Sequence, residues 1–123
     1  MANLIKTKKY GAPEKQILVA EDSYKVTLGA IVAATGATEV NGRKILKAGT
    51  PVKGDLKARN TAFTKEDTTP NAILLHDVDV TDGNSNATIV VAGTVDLNKL
   101  ESDVAELITS TVETALTRII FIK

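Results

Sequence analysis

The single histidine of this chain, His76, opens the run His76-Asp77-Val78-Asp79, the one place where an imidazole stands beside carboxylates. Such a group could ligate a metal or act as a general base. The run reads as strand, however, and alternation along a strand sets His76 on the face opposite Asp77 and Asp79, so the three do not converge locally. No second histidine and no cysteine exist to complete a usual zinc set. His76 therefore reads as a structural or interface residue. An EF-hand loop needs glycine at its sixth position and glutamate at its twelfth. Counted from Asp77, those positions hold Asp82 and Thr88, and the pattern fails; a looser calcium site at the following turn stays open. Between Gly36 and Lys44 five residues, not four, separate the two glycines, and Ile45 follows the lysine, which rejects a phosphate-cradling loop. Ser23, Ser85, Ser102 and Ser110 lack a nucleophile-elbow context. Nothing in the sequence argues for catalysis, so the expectation is a non-enzymatic protein with no cofactor and no metal site.

The elements that carry these residues centre on Asn71 to Leu100. Ile73-Leu74-Leu75, Val78 and Val80 read as one strand, and Thr81 to Asn86 as a six-residue polar loop. A second strand follows, with Ala87, Ile89, Val91, Gly93, Val95 and Leu97 on one face. Upstream, residues 25–35 read as a strand in which Gly29 suggests a bulge or close backbone approach. Asn41-Gly42 is a strong turn pair before a short strand over residues 43–47. Pro51 argues against a central ladder position there. Residues 53–71 read as a polar surface loop with Phe63 as its one large anchor and a helical turn near Thr64 to Asp67.

Beyond the hairpin, Asn98 and Glu101 have capping-box spacing. Leu100, Val104, Leu107, Ile108, Val112 and Ala115 then recur as one apolar stripe, which predicts a single main C-terminal helix. Thr109, Thr111 and Thr114 make that helix dependent on its packing partner. Arg118-Ile119-Ile120-Phe121-Ile122 reads as a buried terminal strand. Residues 1–24 show no sustained period, and they divide the chain into an N-terminal arm (1–24) and a β-rich domain (25–123). The expected class is α+β: a small single β-rich domain of hairpins or a partly closed sheet, with one main C-terminal helix, a terminal buried strand and a flexible arm.

At 123 residues the chain can bury one modest core, and with 3% aromatics that core must be aliphatic. The N-terminus lacks the apolar core of a signal peptide and no segment approaches the length of a membrane span, so no membrane partner is expected. Fifteen basic and fifteen acidic side chains cancel. Residues 1–70 hold 12 Lys/Arg against 7 Asp/Glu, and residues 71–123 hold 3 against 8. This split either makes oppositely charged faces or is intermixed by folding. Neither the overall charge nor the aromatic content suits a nucleic-acid binder.

The run LLHDVDVTDGNSNATIVVAGTVDLNKL (74–100), with GRKILKAGTPV at Gly42 to Val52 before it and RIIFIK after it, resembles the head decoration proteins of tailed bacteriophages. The likeness is closer to those of phages with Gram-positive hosts than to the lambda-type protein. The resemblance covers roughly residues 25–123 and its motifs are structural. It implies a capsid decoration (cement) protein made in the host cytoplasm and carried on the outer surface of the virion head. Its partner would be the major capsid protein, and it would be a homo-oligomer, with a trimer favoured. In that reading Lys6, Lys8, Lys9, Tyr10, Ile17 and Leu18 are candidate capsid contacts on the arm. Asp82, Gly83, Asn84 and Asn86 are candidates for self-association. The alternative is a small non-catalytic binding module for calcium, glycan or protein, motivated by the acidic hairpin.

Overall fold

The computed structural model describes residues 16–20 and 24–123. Within them lie nine strands: β1 (Lys25–Val32), β2 (Thr38–Val40), β3 (Arg43–Leu46), β4 (Pro51–Lys53), β5 (Thr64–Lys65), β6 (Ala72–Leu74), β7 (Val78–Asp79), β8 (Ser85–Asp96) and β9 (Ile119–Ile122). Two short helices, α1 (Ser102–Ala105) and α2 (Ser110–Ala115), follow a 3-10 turn over Leu97–Lys99. The strand-rich α+β class agrees with the sequence reading.

Strand β8 runs for 12 residues without proline, and β-branched side chains suit its pleated, half-buried surface. It pairs along one side with β1 (Ala30 opposite Ala87, Val32 opposite Ser85) and along the other with β6 and then β9. The sheet continues from β6 to β4 and β5. Phe63, just ahead of β5, then bridges back to Val32, with the Phe63 amide donating to the Ile31 carbonyl at 2.7 Å and the Ala33 amide to the Phe63 carbonyl at 2.9 Å. The two sheet ends thus meet, and five strands close into a small barrel. Its interior holds Phe63, Val32, Val52, Ala72, Leu74 and Ile89, all fully buried. A smaller sheet, β2-β3-β7, adds Leu46, Val78 and Val80 to the same core. Its β2–β3 turn is Asn41-Gly42 with φ of 53° and 82°, the two positive values a two-residue turn of right-handed twist requires.

A second core lies outside the barrel wall. There Ile73, Val90 and Val95 meet Val104, Ile108 and Val112 of the C-terminal region. The two cores explain a departure from the expected faces of β8. Val26 pairs with Ala92 but Thr27 pairs with Val90, so Val91 is a bulge residue and strand parity flips across it. Ile89 therefore enters the barrel while Val90 and Val95 share the outer core, and the single-face reading from Ala87 to Leu97 is corrected. Gly29, where a bulge was expected, sits on open surface with nothing within 4 Å of where a Cβ would stand.

Several other expectations are corrected. The strand before the polar loop is two strands: β6 pairs with β8, whereas β7 leaves for β3, with Ile45 opposite Asp79. The single C-terminal helix is broken at residues 106–109. There the Thr109 side chain accepts from the Val112 amide at 3.3 Å and starts a new helix, as threonine does when its hydroxyl competes for backbone donors. Asp96, and not Asn98, caps the preceding 3-10 turn by accepting from the Asn98 amide, and Glu101 makes no side-chain cap bond. Thr64 lies in β5 and not in a helical turn. Pro51 does stand in a strand flanked on both sides, but at its first residue, where a missing donor costs nothing; its carbonyl accepts from the Glu66 amide at 3.0 Å. The terminal strand β9 is buried only at Ile119, with Phe121 half-buried; Ile120 is 62% and Ile122 is 41% exposed.

Candidate partner-binding surface

The acidic end of the molecule is built by the β3–β7 pair and the turn after it. Arg43 Nε donates to Asp79 Oδ2 at 2.6 Å, and the Thr81 amide donates to Asp79 Oδ1 at 2.9 Å. These donors hold the Asp79 carboxyl down at about 2, the Arg43 bond first among them. Asp77 Oδ1 accepts from the Ala48 amide at 2.8 Å, and Thr81 Oγ1 accepts from the Lys44 amide at 2.8 Å. The Ser85 hydroxyl donates to the carbonyls of Asp79 and Gly83. Asp77 and Asp79 thus each have a backbone or ion-pair task. A shallow groove of about 280 Å³ brings His76, Asp77, Asp79 and Ser85 to its rim. The strand is interrupted at His76, so simple alternation does not describe this stretch. Among the described residues no three His, Cys, Asp or Glu side chains are grouped to hold a metal ion.

The candidate self-association residues fall in two places. Asp82, Gly83 and Asn84 form the turn between β7 and β8, with Asp82 and Asn84 exposed. Asn86 is not in that turn; it is the second residue of β8, opposite Ile31. There it lines a groove of about 510 Å³ with Gly29, Leu56, Lys57, Arg59 and Asn60, and Arg59 Nη1 donates to the Gly29 carbonyl at 2.7 Å.

Of the arm candidates, Lys6, Lys8, Lys9 and Tyr10 lie outside the described residues. Ile17 and Leu18 are corrected: they are 0% and 1% exposed and belong to the outer core. Leu18 bridges Val95, the Asp96 amide donates to the Ile17 carbonyl at 3.0 Å, and the Val19 amide donates to the Thr94 carbonyl at 3.2 Å. The expected boundary at residue 24 therefore cuts through a segment already paired with β8. An apolar knot in a polar stretch was the signal, and it marks core and not a free anchor.

Charge is intermixed where it can be seen. Arg43 pairs with Asp79, and Lys47 Nζ pairs with Glu101 at 3.2 Å and Asp103 at 3.0 Å, so each bridge joins the basic half of the chain to the acidic half. The Lys47 bridges tie the end of β3 to the start of α1 and raise its pKa.

What the sequence did not disclose is an apolar face on the opposite end. Val19, Tyr24, Val26, Ile120 and Ile122 are exposed by 38% to 76%. Pairings place four of them together: Val26 lies opposite Ala92, Val19 bonds to Thr94, and Thr94 and Asp96 lie opposite Ile120 and Ile122. Ala92, Thr94 and Asp96 share the outward side of β8, whereas Val95 turns inward.

No family model matches this sequence, and no curated protein is significantly similar to it.

Proposed function

We propose that this chain is a non-enzymatic virion protein that decorates the outer surface of an assembled tailed-phage head and stabilises it against the major capsid protein's dissociation. One observation carries the reading: the three stretches that bear the resemblance interlock as one unit. Gly42 to Val52 supplies β3, whose Lys44 accepts from the Val80 amide and donates to Thr81, and whose following turn receives Asp77 at Ala48. The ending supplies β9, parallel to β8. The motifs thus support a scaffold, as the resemblance implies, and the polar groups within them hold backbone in place.

Stabilisation by such a protein is multivalent. Copies that each touch more than one shell subunit make the second contact intramolecular, so separating any two subunits requires breaking several contacts at once. A trimer of this chain is the arrangement the resemblance favours. Mixing the purified protein with undecorated heads and imaging the particles tests the proposal. Regular added density at symmetry-related sites, with a higher temperature of head disruption, is the expected result; heads that stay bare at saturating protein overturn it.

A further inference from the structure

We propose that the groove beside the start of β8 binds an extended acidic segment of another protein, one with an apolar residue between its acids. The groove lies where the barrel seam changes character. At Ile31 the free side of β1 is joined to the chain at Phe63, whose amide donates to the Ile31 carbonyl at 2.7 Å. Two residues earlier Arg59 takes over, its Nη1 donating to the Gly29 carbonyl at 2.7 Å. That bond fixes the guanidinium at the groove, while the other N–H donors of its fork remain for a carboxylate. Lys57 lines the groove as well, and no carboxylate does. Among the described residues Arg43 and Lys47 have carboxylate partners, whereas Lys57 and Arg59 have none. Two unbalanced cations beside a surface without acids are complementary to an acidic ligand.

Gly29 and two asparagines specify that ligand as a polypeptide. A Cβ on Gly29 would meet nothing within 4 Å, and its φ is not one that favours glycine, so the fold does not require glycine there. The missing side chain leaves a bare stretch of strand against which a second main chain can lie close. Asn86, opposite Ile31, and Asn60 bring exposed carboxamides that both donate and accept. Asn71 shows such a group reading a backbone within this chain: its Nδ2 donates to the Gly54 carbonyl at 2.6 Å and its Oδ1 accepts from the Gly54 amide at 3.3 Å. Leu56, 40% exposed, lines this groove and a second of about 370 Å³ that reaches Arg118. An occupant crossing both meets cations, an apolar ridge and a further cation, which sets the order acid, apolar, acid. No aromatic side chain lines either groove to stack on a base, which disfavours a nucleic-acid strand. The chain's own run of that order, Asp77-Val78-Asp79, is already engaged: both acids are held and Val78 is buried in the barrel core, so a second copy does not present it. The inference stands apart from the capsid reading, and particle imaging and the titration below fail separately.

The test is a fluorescence-anisotropy titration of the full chain into a short labelled peptide of glutamates and glycines around a central leucine. Saturable binding is expected, weakened about tenfold or more by glutamine in place of glutamate and by high salt. Gly29→Val fills the bare stretch and weakens binding about tenfold, while the melting temperature does not fall, since valine suits an exposed strand position. Lys57→Gln removes a cation with no carboxylate partner, gives about a threefold loss, and decides the matter should Gly29→Val perturb the barrel. The proposal is overturned by an absence of binding at the highest soluble protein concentration, by equal binding of the glutamine peptide, or by binding that both variants leave unchanged. It is equally overturned by a single-stranded oligonucleotide that binds more tightly and is released by the same variants, which would give the groove to a nucleic acid. A concentration-dependent dimer in sedimentation that Gly29→Val abolishes would overturn it too, in favour of a second copy.

Discussion

At the β7 end of the molecule, the carboxylates of Asp77 and Asp79 are held by identified partners; at the β9 end, uncharged apolar side chains face solvent. Asp79 is bound by Arg43 and the Thr81 amide, and Asp77 by the Ala48 amide. Ile120 and Ile122, by contrast, cover nothing within the chain's own cores. The difference separates two uses of a surface. Polar residues that look reactive in sequence are here fasteners of a turn, whereas apolar residues that look like core lie where a partner could reach them. Chemical character alone therefore misassigns both ends.

The sharpest way to break this comparison is to attack what both ends hang from. Phe63 closes the barrel, fully buried, and its ring lies 2.5 Å from where a Cβ on Gly54 would stand. Phe63→Ala removes that plug and is expected to cost about 3–5 kcal/mol in denaturant unfolding. A loss under about 1 kcal/mol would mean that the barrel closure contributes little. Next in size is Leu18→Ala, expected to cost about 2–4 kcal/mol because Leu18 packs in the outer core beside Val95. A free capsid-binding arm would instead tolerate that change without loss of stability. Gly49 is the third: at φ of 92°, with Leu100 Cδ2 2.5 Å from a would-be Cβ, Gly49→Ala combines backbone strain with a clash and should lower stability by more than about 1 kcal/mol.

Much of the fold was legible in residue order. Asn41-Gly42 announced its turn through the conformations those two residues tolerate, and the strands read over 25–35 and from Ala87 onward announced themselves through β-branched runs, although β1 ends at Val32 and β8 begins at Ser85, inside the expected loop. What escaped had nonlocal causes. The bulge at Val91 is set by which partner β1 finds, and nothing in Ile89-Val90-Val91-Ala92 signals the flip. The division of residues 72–80 between two sheets depends on β3 arriving from far away in sequence to take β7. The helix break at Thr109 had a local cue in its threonines, but an apolar stripe running through Leu107 and Ile108 masked it. For the surface, an edge strand and a central strand have the same composition, so the exposure of Ile120 and Ile122 was not legible; burial of Ile17 and Leu18 follows equally from pairing with β8.

The fastened end predicts an acid response. The folded-state pKa of Asp79 is depressed to about 2 from an ordinary carboxyl value near 3.8. A depressed carboxyl contributes stability that is fully present above the unfolded value and lost as pH falls through the folded one. The loss therefore belongs between about pH 4 and pH 2, beyond what other carboxyls contribute. Asp79→Asn should flatten that part of the profile and remove its dependence on salt, while leaving stability at neutral pH only slightly lower, since the pair is exposed. A profile unchanged by the substitution would sink the claim that Arg43 and Thr81 fasten this turn.

The smallest expected effect falls at the open end, and its smallness is the point. Ile120→Thr keeps a β-branched side chain on an exposed strand position, so the change in unfolding free energy should stay within about 0.5 kcal/mol. The same substitution at Ile119, 6% exposed and part of the outer core, leaves a buried hydroxyl and should cost severalfold more. Adjacent isoleucines in one strand would then differ solely by the side of the sheet they occupy. Should Ile120→Thr cost as much as Ile119→Thr, the exposed face belongs to the protein's own stability, and the contrast between its fastened and open ends collapses.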